Sequence, residues 1–165
     1  MPYRVILMNE LSTPPTLTIY TDGSCKPRNP GPGGAAVICV ICSEIVDKMV
    51  YSEAQSTNNR MEMMAAIMAF NFVEKYCDKI DNSCIIYTDS EYVERGISER
   101  AQKWKVRGWK TTANKPVKNV DLWEKLLKLS ESYPFVQFKW IKAHNGDKYN
   151  TVVDEMAKNA AISQQ

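Results

Sequence analysis

The sequence predicts an α/β domain built on a mixed sheet. Three observations point there. Strand-like and helix-like apolar runs alternate along the chain in the order β-β-β-α-β-α…α-β-α. Two of the strands end in the same way, Ile19-Tyr20-Thr21-Asp22-Gly23-Ser24 and Ile86-Tyr87-Thr88-Asp89-Ser90. A long helical pattern over 60–76 lies between them and can serve as the crossover that parallel neighbours require.

The elements follow in order. Residues 1–16 are a poorly patterned leader closed by Pro14-Pro15, and a single domain is expected over 17–162. Leu17 to Thr21 alternates with period two and reads as a strand that stops at Asp22-Gly23-Ser24. A loop rich in Pro and Gly is expected from there through Gly34. Ala35 to Cys42 and Ile45 to Tyr51 then read as two strands of an antiparallel meander. The polar stretch Gln55-Ser-Thr-Asn-Asn offers several N-caps, of which Asn59 pairs with Glu62 in a capping-box spacing. The segment 60–76 has no Gly or Pro and is apolar around most of its circumference, which predicts a deeply buried helix. Cys84 to Thr88 is the second strand ending in Asp, and Glu91 to Ile97 a short helix. Asp121 to Ser130 is amphipathic, and Phe135 to Ile141 is a late strand. Asn150 to Ile162 is a terminal helix with Val153, Met156, Ala157 and Ala160 on one face, capped by Asn150 with Asp154 in its first turn.

The chain has 165 residues, 44% of them hydrophobic and 24% charged. That composition excludes disorder over most of the length. The longest apolar stretch, Ala35 to Cys42, falls far short of the ~20 residues a membrane span needs. Met1 to Glu10 has no small-residue cleavage site, so no signal peptide is expected. Five cysteines, an odd number, fit a reduced cytoplasmic protein. Cys39-x-x-Cys42 lies in a buried-strand pattern with no second pair to complete a zinc site, so both read as small core residues.

Net charge is +2, and its distribution says more than its sum. Lys103, Lys105, Arg107, Lys110, Lys115 and Lys118 share a window without an acidic residue. The rest of the chain has 15 basic and 19 acidic residues. Trp104 and Trp109 interleave with these lysines, a pattern suited to tracking a nucleic-acid backbone.

If the two strands that end in Asp are parallel neighbours, Asp22 and Asp89 emerge side by side at the carboxyl edge of the sheet, where α/β folds place ligands. Glu62 leads into a helix that must pack against that sheet, and Asp154 opens the last helix. Each alone can be a cap or a turn residue. Together they form a carboxylate cluster, which stays ionised only around a cation. Oxygen ligands without imidazole favour Mg²⁺ or Mn²⁺, and two such ions suit phosphodiester displacement. His144, the only histidine, sits in the polar loop Lys142-Ala-His-Asn-Gly-Asp, where an exposed imidazole can relay a proton. Thr57, Asn58 and Asn59 can read minor-groove edges and 2′-hydroxyls.

These residues stand in long motifs: Thr21-Asp-Gly-Ser-Cys, Asn29-Pro-Gly-Pro-Gly-Gly, Thr57-Asn-Asn-Arg-Met-Glu, Thr88-Asp-Ser-x-Tyr-Val, Arg107-Gly-Trp-Lys-Thr and Lys115-Pro-Val-Lys-Asn-Val-Asp-Leu-Trp. In them the sequence resembles the bacterial-type ribonuclease H family (ribonuclease HI), from about Leu17 to Ala161. The resemblance implies a ribonuclease H-like fold with a five-stranded mixed sheet flanked by helices. It also implies an endonuclease that cuts the RNA strand of RNA–DNA hybrids with two metal ions, leaving 5′-phosphate and 3′-hydroxyl ends, as a monomer with Mg²⁺ as cofactor. Asp22, Glu62, Asp89 and Asp154 match the family's metal-binding carboxylates and His144 its mobile-loop histidine. Cys25, Asn29, Asn58 and Asn59 match residues near the RNA strand, and Thr57 and Asn119 a pocket for a DNA phosphate. Segment 101–118, with Lys103, Trp104, Lys105, Arg107, Trp109 and Lys110, matches the basic protrusion on the DNA strand.

Departures from the family pattern are local. Lys26-Pro-Arg28 lengthens the first loop, and the connection from Tyr76 to Cys84 is longer too. Arg100 replaces a tryptophan, Ala143 a glycine, and Glu91 a glutamine. Glu91 adds a negative charge near Asp89 that opposes phosphate. A non-catalytic hybrid-binding module and a resolvase- or integrase-like nuclease are the competing expectations.

Overall fold

The computed structural model describes residues 13–80 and 82–164; most of the expected leader, 1–12, lies outside the described residues. Five strands form one sheet: β1 (Leu17–Cys25), β2 (Gly31–Ile41), β3 (Glu44–Ser56), β4 (Cys84–Thr88) and β5 (Val136–Trp140). Their spatial order is β3-β2-β1-β4-β5. The first three are antiparallel, while β1 with β4 and β4 with β5 are parallel. Helices α1 (Asn58–Tyr76), α2 (Glu91–Arg95), α3 (Ala101–Val106), α4 (Val120–Ser132) and α5 (Lys148–Ile162) complete the domain.

The period of two along the central strands sorts their side chains between two cores. Leu17, Ile19, Ala35, Val37, Cys39 and Ile41 pack with α1 and α4. Tyr20, Ala36, Ile38 and Val40 pack with Val153 and Ala157 of α5. The sheet is therefore the middle of three layers. α1 has the sheet on one side and α4 on the other, which accounts for its nearly all-round apolar sequence.

Two elements extend beyond the sequence expectation at the sheet's functional edge. β1 continues through Asp22-Gly23-Ser24 to Cys25, and β2 begins at Gly31 rather than after Gly34. The glycines belong in the strand because helices press on it closely. A Cβ on Gly34 would overlap the Ala157 carbonyl, and one on Gly33 would meet the Met61 side chain. Pro32 is tolerated because the β2–β3 register shifts between Gly31 and Gly33.

Helix starts also differ. α1 is capped by Thr57, whose Oγ1 accepts from the Arg60 amide at 3.2 Å, so Asn59 lies inside the helix and makes no capping box with Glu62. Asp147, not Asn150, caps α5: its Oδ1 accepts from the Tyr149 and Asn150 amides at 2.9 and 2.8 Å. Asp154 consequently sits in the second turn. Ser90, not Asp89, caps α2. The helix expected over 91–97 runs on through a π turn at Gly96–Arg100 into α3. Gly96 is the point of closest packing there, since a side chain would overlap the fully buried Trp123 ring of α4. Cys39 is buried as expected, whereas Cys42 is exposed at a positive-φ turn. Among the described residues no helix is long and apolar enough to cross a membrane.

Candidate active site

Parallel pairing of β1 with β4 ends at Thr21 opposite Thr88, so Asp22 and Asp89 are each one residue past the last pair. The shared strand ending thus puts two carboxylates at one point of the sheet edge. α1 brings a third. Its N-terminal turn lies against Gly23, which has no side chain to hold it off, and Glu62 comes down beside Asp22. Asp22, Glu62 and Asp89 each present a carboxylate oxygen, and the three oxygens lie within 4.8 Å of one another.

The trio is poorly solvated. Asp22 is 3% exposed and Glu62 9%. Asp22 Oδ1 accepts the Gly23 amide at 2.8 Å, but Glu62 Oε2 is buried without a hydrogen-bond partner among the described residues. Burial pushes the Asp22 carboxyl up to about 7, opposed by its hydrogen bond with Glu62 and reinforced by Asp89. Glu62 is raised well above the usual carboxylate range, first by burial and then by Asp22. Asp89 is raised by burial and by the charge of Asp154. Three crowded carboxylates of this kind are a site waiting for positive charge. Hard oxygen donors, with no thiolate or imidazole among them, and the orphaned Glu62 oxygen fit a divalent cation of the Mg²⁺ or Mn²⁺ type.

Asp154 lines the same groove, an opening of about 290 Å³, from α5, within hydrogen-bonding reach of Asp22. Its Oδ2 is 2.7 Å from Lys158 Nζ. Burial opposes its charge, yet that lysine and Asp22 hold it below the ordinary carboxylate value. Lys158 is not among the residues that the sequence singles out. An acid–lysine pair four apart in a helix is the usual signature of a surface ion pair, so its position carries no distinctive signal.

His144 is exposed on the loop before α5, with φ 55°, within electrostatic reach of Asp89 and Asp154. Cys25, Asn58 and Asn59 line the groove, together with Ser24, Lys26 and Ser90, which sequence reasoning passes over. A relay fixes this rim: Asn29 Oδ1 accepts the Asn58 amide at 3.0 Å, and Asn58 Oδ1 accepts the Cys25 amide at 2.8 Å. Thr57 is occupied in capping α1. Asn119 stands at the N-terminal flank of α4 in a left-handed conformation without a side-chain capping bond; it accepts from Arg60 at 3.3 Å and donates to Tyr92 Oη at 3.1 Å. Arg60 in turn forms a bidentate pair with Asp121.

In the basic segment, Lys103, Lys105, Arg107 and Lys110 are exposed, while Trp104 and Trp109 are only half exposed and pack against the core. Trp104 meets Trp123 edge-on, with centroids 5.7 Å apart. The tryptophans therefore anchor the segment as well as decorate it. Glu91 is exposed, faces Arg95 at 3.5 Å and does not line the groove. Arg100 is exposed and Ala143 partly buried. Trp140 Nε1 donates to the Asp89 carbonyl at 3.0 Å, an unforeseen contact that holds the backbone under that carboxylate.

The RNase H family model matches residues 14–162. A Ribonuclease H of Pseudoalteromonas translucida is 47% identical over 148 residues, covering 90% of this chain and 91% of that protein. A Ribonuclease HI of Xylella fastidiosa is 45% identical over 150 residues, covering 91% and 95%. Among solved structures, LC9-RNase H1, described as a type 1 RNase H with the type 2 active-site motif, is similar at 27% identity and a TM-score of 0.75, covering 94% of this chain and 76% of that one. LC11-RNase H1, solved in complex with RNA/DNA hybrid, shares the fold at 22% identity and a TM-score of 0.70, covering 90% and 98%. With the carboxylates at the carboxyl edge of the parallel strands and relatives this close over nearly its whole length, the chain belongs to the RNase H family.

Proposed function

We propose that the chain is a divalent-metal-dependent endonuclease that hydrolyses the RNA strand of RNA–DNA hybrids, leaving 5′-phosphate and 3′-hydroxyl ends. The observation that carries this reading is the convergence of Asp22, Glu62 and Asp89 within 4.8 Å, with a buried Glu62 oxygen that has no hydrogen-bond partner among the described residues. Such a donor set fits Mg²⁺, with Mn²⁺ as a substitute. When bound, a pair of ions supplies charge stabilisation to the attacking and leaving oxygens of an in-line displacement.

The chain's own residues do the rest. Asp22, Glu62 and Asp89 fix the position of positive charge at the sheet edge, and Asp154 faces the groove from α5. His144, near Asp89 and Asp154 on an exposed loop, passes a proton toward the 3′-leaving oxygen. Cys25, Asn29 and Asn58, held in place by the relay between them, present polar groups with Asn59 to the 2′-hydroxyls of the RNA strand. Thr57 and Asn119 hold a DNA phosphate. Lys103, Lys105, Arg107 and Lys110, carried on the segment that Trp104 and Trp109 anchor, track the DNA backbone. The domain over 17–162 is the catalytic unit. Free cysteines, three of them buried, fit a monomer working in the reducing cytoplasm.

A substrate panel tests the reading. The chain is incubated with Mg²⁺ and a blunt hybrid, a DNA duplex or an RNA duplex of one sequence, each strand end-labelled in turn. Only the RNA strand of the hybrid is cut. Hybrid binding without cleavage at any Mg²⁺ concentration would instead make the chain a binding module. Cutting of duplex DNA with the hybrid spared would place it with resolvase-like nucleases.

A further inference from the structure

The carboxyl end of β5 carries a second stretch in which basic and aromatic residues mix, separate from the segment at 101–118. From Ser132 through Gly146 the chain has no acidic residue, and within that window Lys139, Trp140, Lys142 and His144 are all exposed. Trp140 has 44% of its surface open to solvent, a large apolar area to leave uncovered. Its ring is nevertheless held firmly. Nε1 donates to the Asp89 carbonyl at 3.0 Å, Trp140 pairs with Thr88 across the sheet, and the Ile141 amide donates to the Thr88 carbonyl at 2.9 Å. An aromatic face fixed in this way beside a carboxylate of the trio is preorganised for a ligand that reaches the groove.

The pleat sorts the neighbours of that ring. Phe138 packs on Phe70 of α1, and Trp140, two residues on, leaves the strand by the same face. Lys139 pairs with Tyr87, which packs toward α5, and leaves by the other face. Lys142 follows directly after the strand, in the loop that leads to His144. The strand order puts β5 on the side of β4 away from β1, so Trp140 and Lys142 flank Asp89 on the side away from Asp22 and from the rim of Cys25 and Asn58. A strand whose scissile phosphate lies over the trio must continue past it on both sides. In a paired hybrid the bases are stacked inside, so a ring at the backbone meets the C–H face of a sugar, and an ammonium group meets a phosphate.

We propose that Trp140 and Lys142 form a subsite for the RNA strand on the β5 side of the scissile phosphate, the indole lying against a ribose and the ammonium group pairing with a phosphate. This rests on the hybrid-cleaving reading above.

The experiment measures binding of a labelled RNA–DNA hybrid by fluorescence anisotropy, with Ca²⁺ in place of Mg²⁺ and over a range of salt. Wild type is compared with Trp140→Ala, Trp140→Phe, Lys142→Ala and Lys139→Ala, and melting curves check that each is folded. Trp140→Ala weakens binding about fivefold. Trp140→Phe, which keeps a ring but cannot donate to the Asp89 carbonyl, stays within about twofold of wild type. Lys142→Ala flattens the salt slope by a little under one, and Lys139→Ala leaves it unchanged. Photocrosslinking assigns the strand: 4-thiouridine in the RNA strand labels the peptide that contains Trp140, and 4-thiothymidine in the DNA strand does not. Equal losses for Trp140→Phe and Trp140→Ala overturn the proposal, because the bond to Asp89 and not the ring is then the cause. Wild-type affinity in Trp140→Ala, equal slope changes for the two lysines, or a label carried only from the DNA strand overturn it too. Neither readout needs turnover, so a chain that binds the hybrid without cutting it contradicts the cleavage reading and leaves the subsite standing. A chain that does not bind the hybrid overturns both.

Discussion

Gly23 and Glu62 touch backbone to backbone: a Cβ on Gly23 would overlap the Glu62 amide nitrogen and the Met61 carbonyl. That contact is what sets the depth of α1 on β1, and the depth of α1 sets the distance from Glu62 to Asp22. Gly23→Ala should therefore lift the start of the helix and spread the carboxylates. Overpacking of this kind costs roughly 1–3 kcal/mol. The expected result is a folded protein of lower melting temperature whose Mn²⁺ affinity falls at least tenfold, read by calorimetry. A variant destabilised by that amount but with unchanged affinity would show that the contact serves packing alone.

The raised carboxyls make the stability of the metal-free protein depend on pH in a defined direction. Asp22 titrates at about 7 in the folded chain, against ~3.9 for an unfolded aspartate. Between those values the folded state holds a proton that the unfolded state has released, so stability falls as pH rises through the window. Glu62 is shifted the same way. Asp121, held low by Arg60, contributes below the window, not within it. Melting temperatures in EDTA should fall from about pH 5 to about pH 8, and Asp22→Asn should flatten the slope. Mg²⁺ should restore stability at the upper end, since the ion binds the ionised carboxylates. A melting temperature in EDTA that rises across this range would contradict the electrostatic account of the trio.

The basic segment predicts a salt signature. Lys103, Lys105 and Lys110 are exposed on it, and every phosphate that a lysine neutralises steepens the fall of log K with log salt by a little under one. Replacing all three with Ala should weaken hybrid binding at low salt and flatten the slope by up to about 2.7. Fluorescence anisotropy of a labelled hybrid with Ca²⁺ in place of Mg²⁺ reads both. An unchanged slope would make the segment an ordinary solvated face.

Much of this arrangement is legible in the sequence because it depends on strand ends. The repeated Ile-Tyr-Thr-Asp, read with a crossover helix between the copies, places Asp22 beside Asp89, and the register of β1 on β4 does so. The order of elements and the burial of α1 follow from apolar periodicity in the same way. What is illegible depends on contacts between elements. Gly31 to Gly34 reads as a loop because glycine and proline are poor strand formers, yet α1 and α5 approach that strand so closely that Gly33 and Gly34 have no space for a side chain. Three polar residues in a row, Thr57 to Asn59, each suit an N-cap, and only the fold selects Thr57. Asp154 reads as an equal member of a four-carboxylate cluster, but its partner Lys158 is visible only once α5 faces the groove. Trp104 reads as a nucleic-acid contact among lysines, whereas its packing on Trp123 requires α3 and α4 to meet.

The central claim is that the buried carboxylate trio, through the cation it holds, carries the cleavage of the RNA strand. Single-turnover cleavage of an end-labelled hybrid at saturating Mg²⁺ tests it most directly, comparing wild type with Asp22→Asn, whose side chain is nearly the same size but cannot carry the charge. Removing one electrostatic stabiliser of a reacting centre costs about a hundredfold or more. The account predicts a loss of at least that size, with hybrid affinity retained and no cleavage by wild type in EDTA. Cleavage by Asp22→Asn within a few-fold of wild type, or undiminished in EDTA, would contradict it.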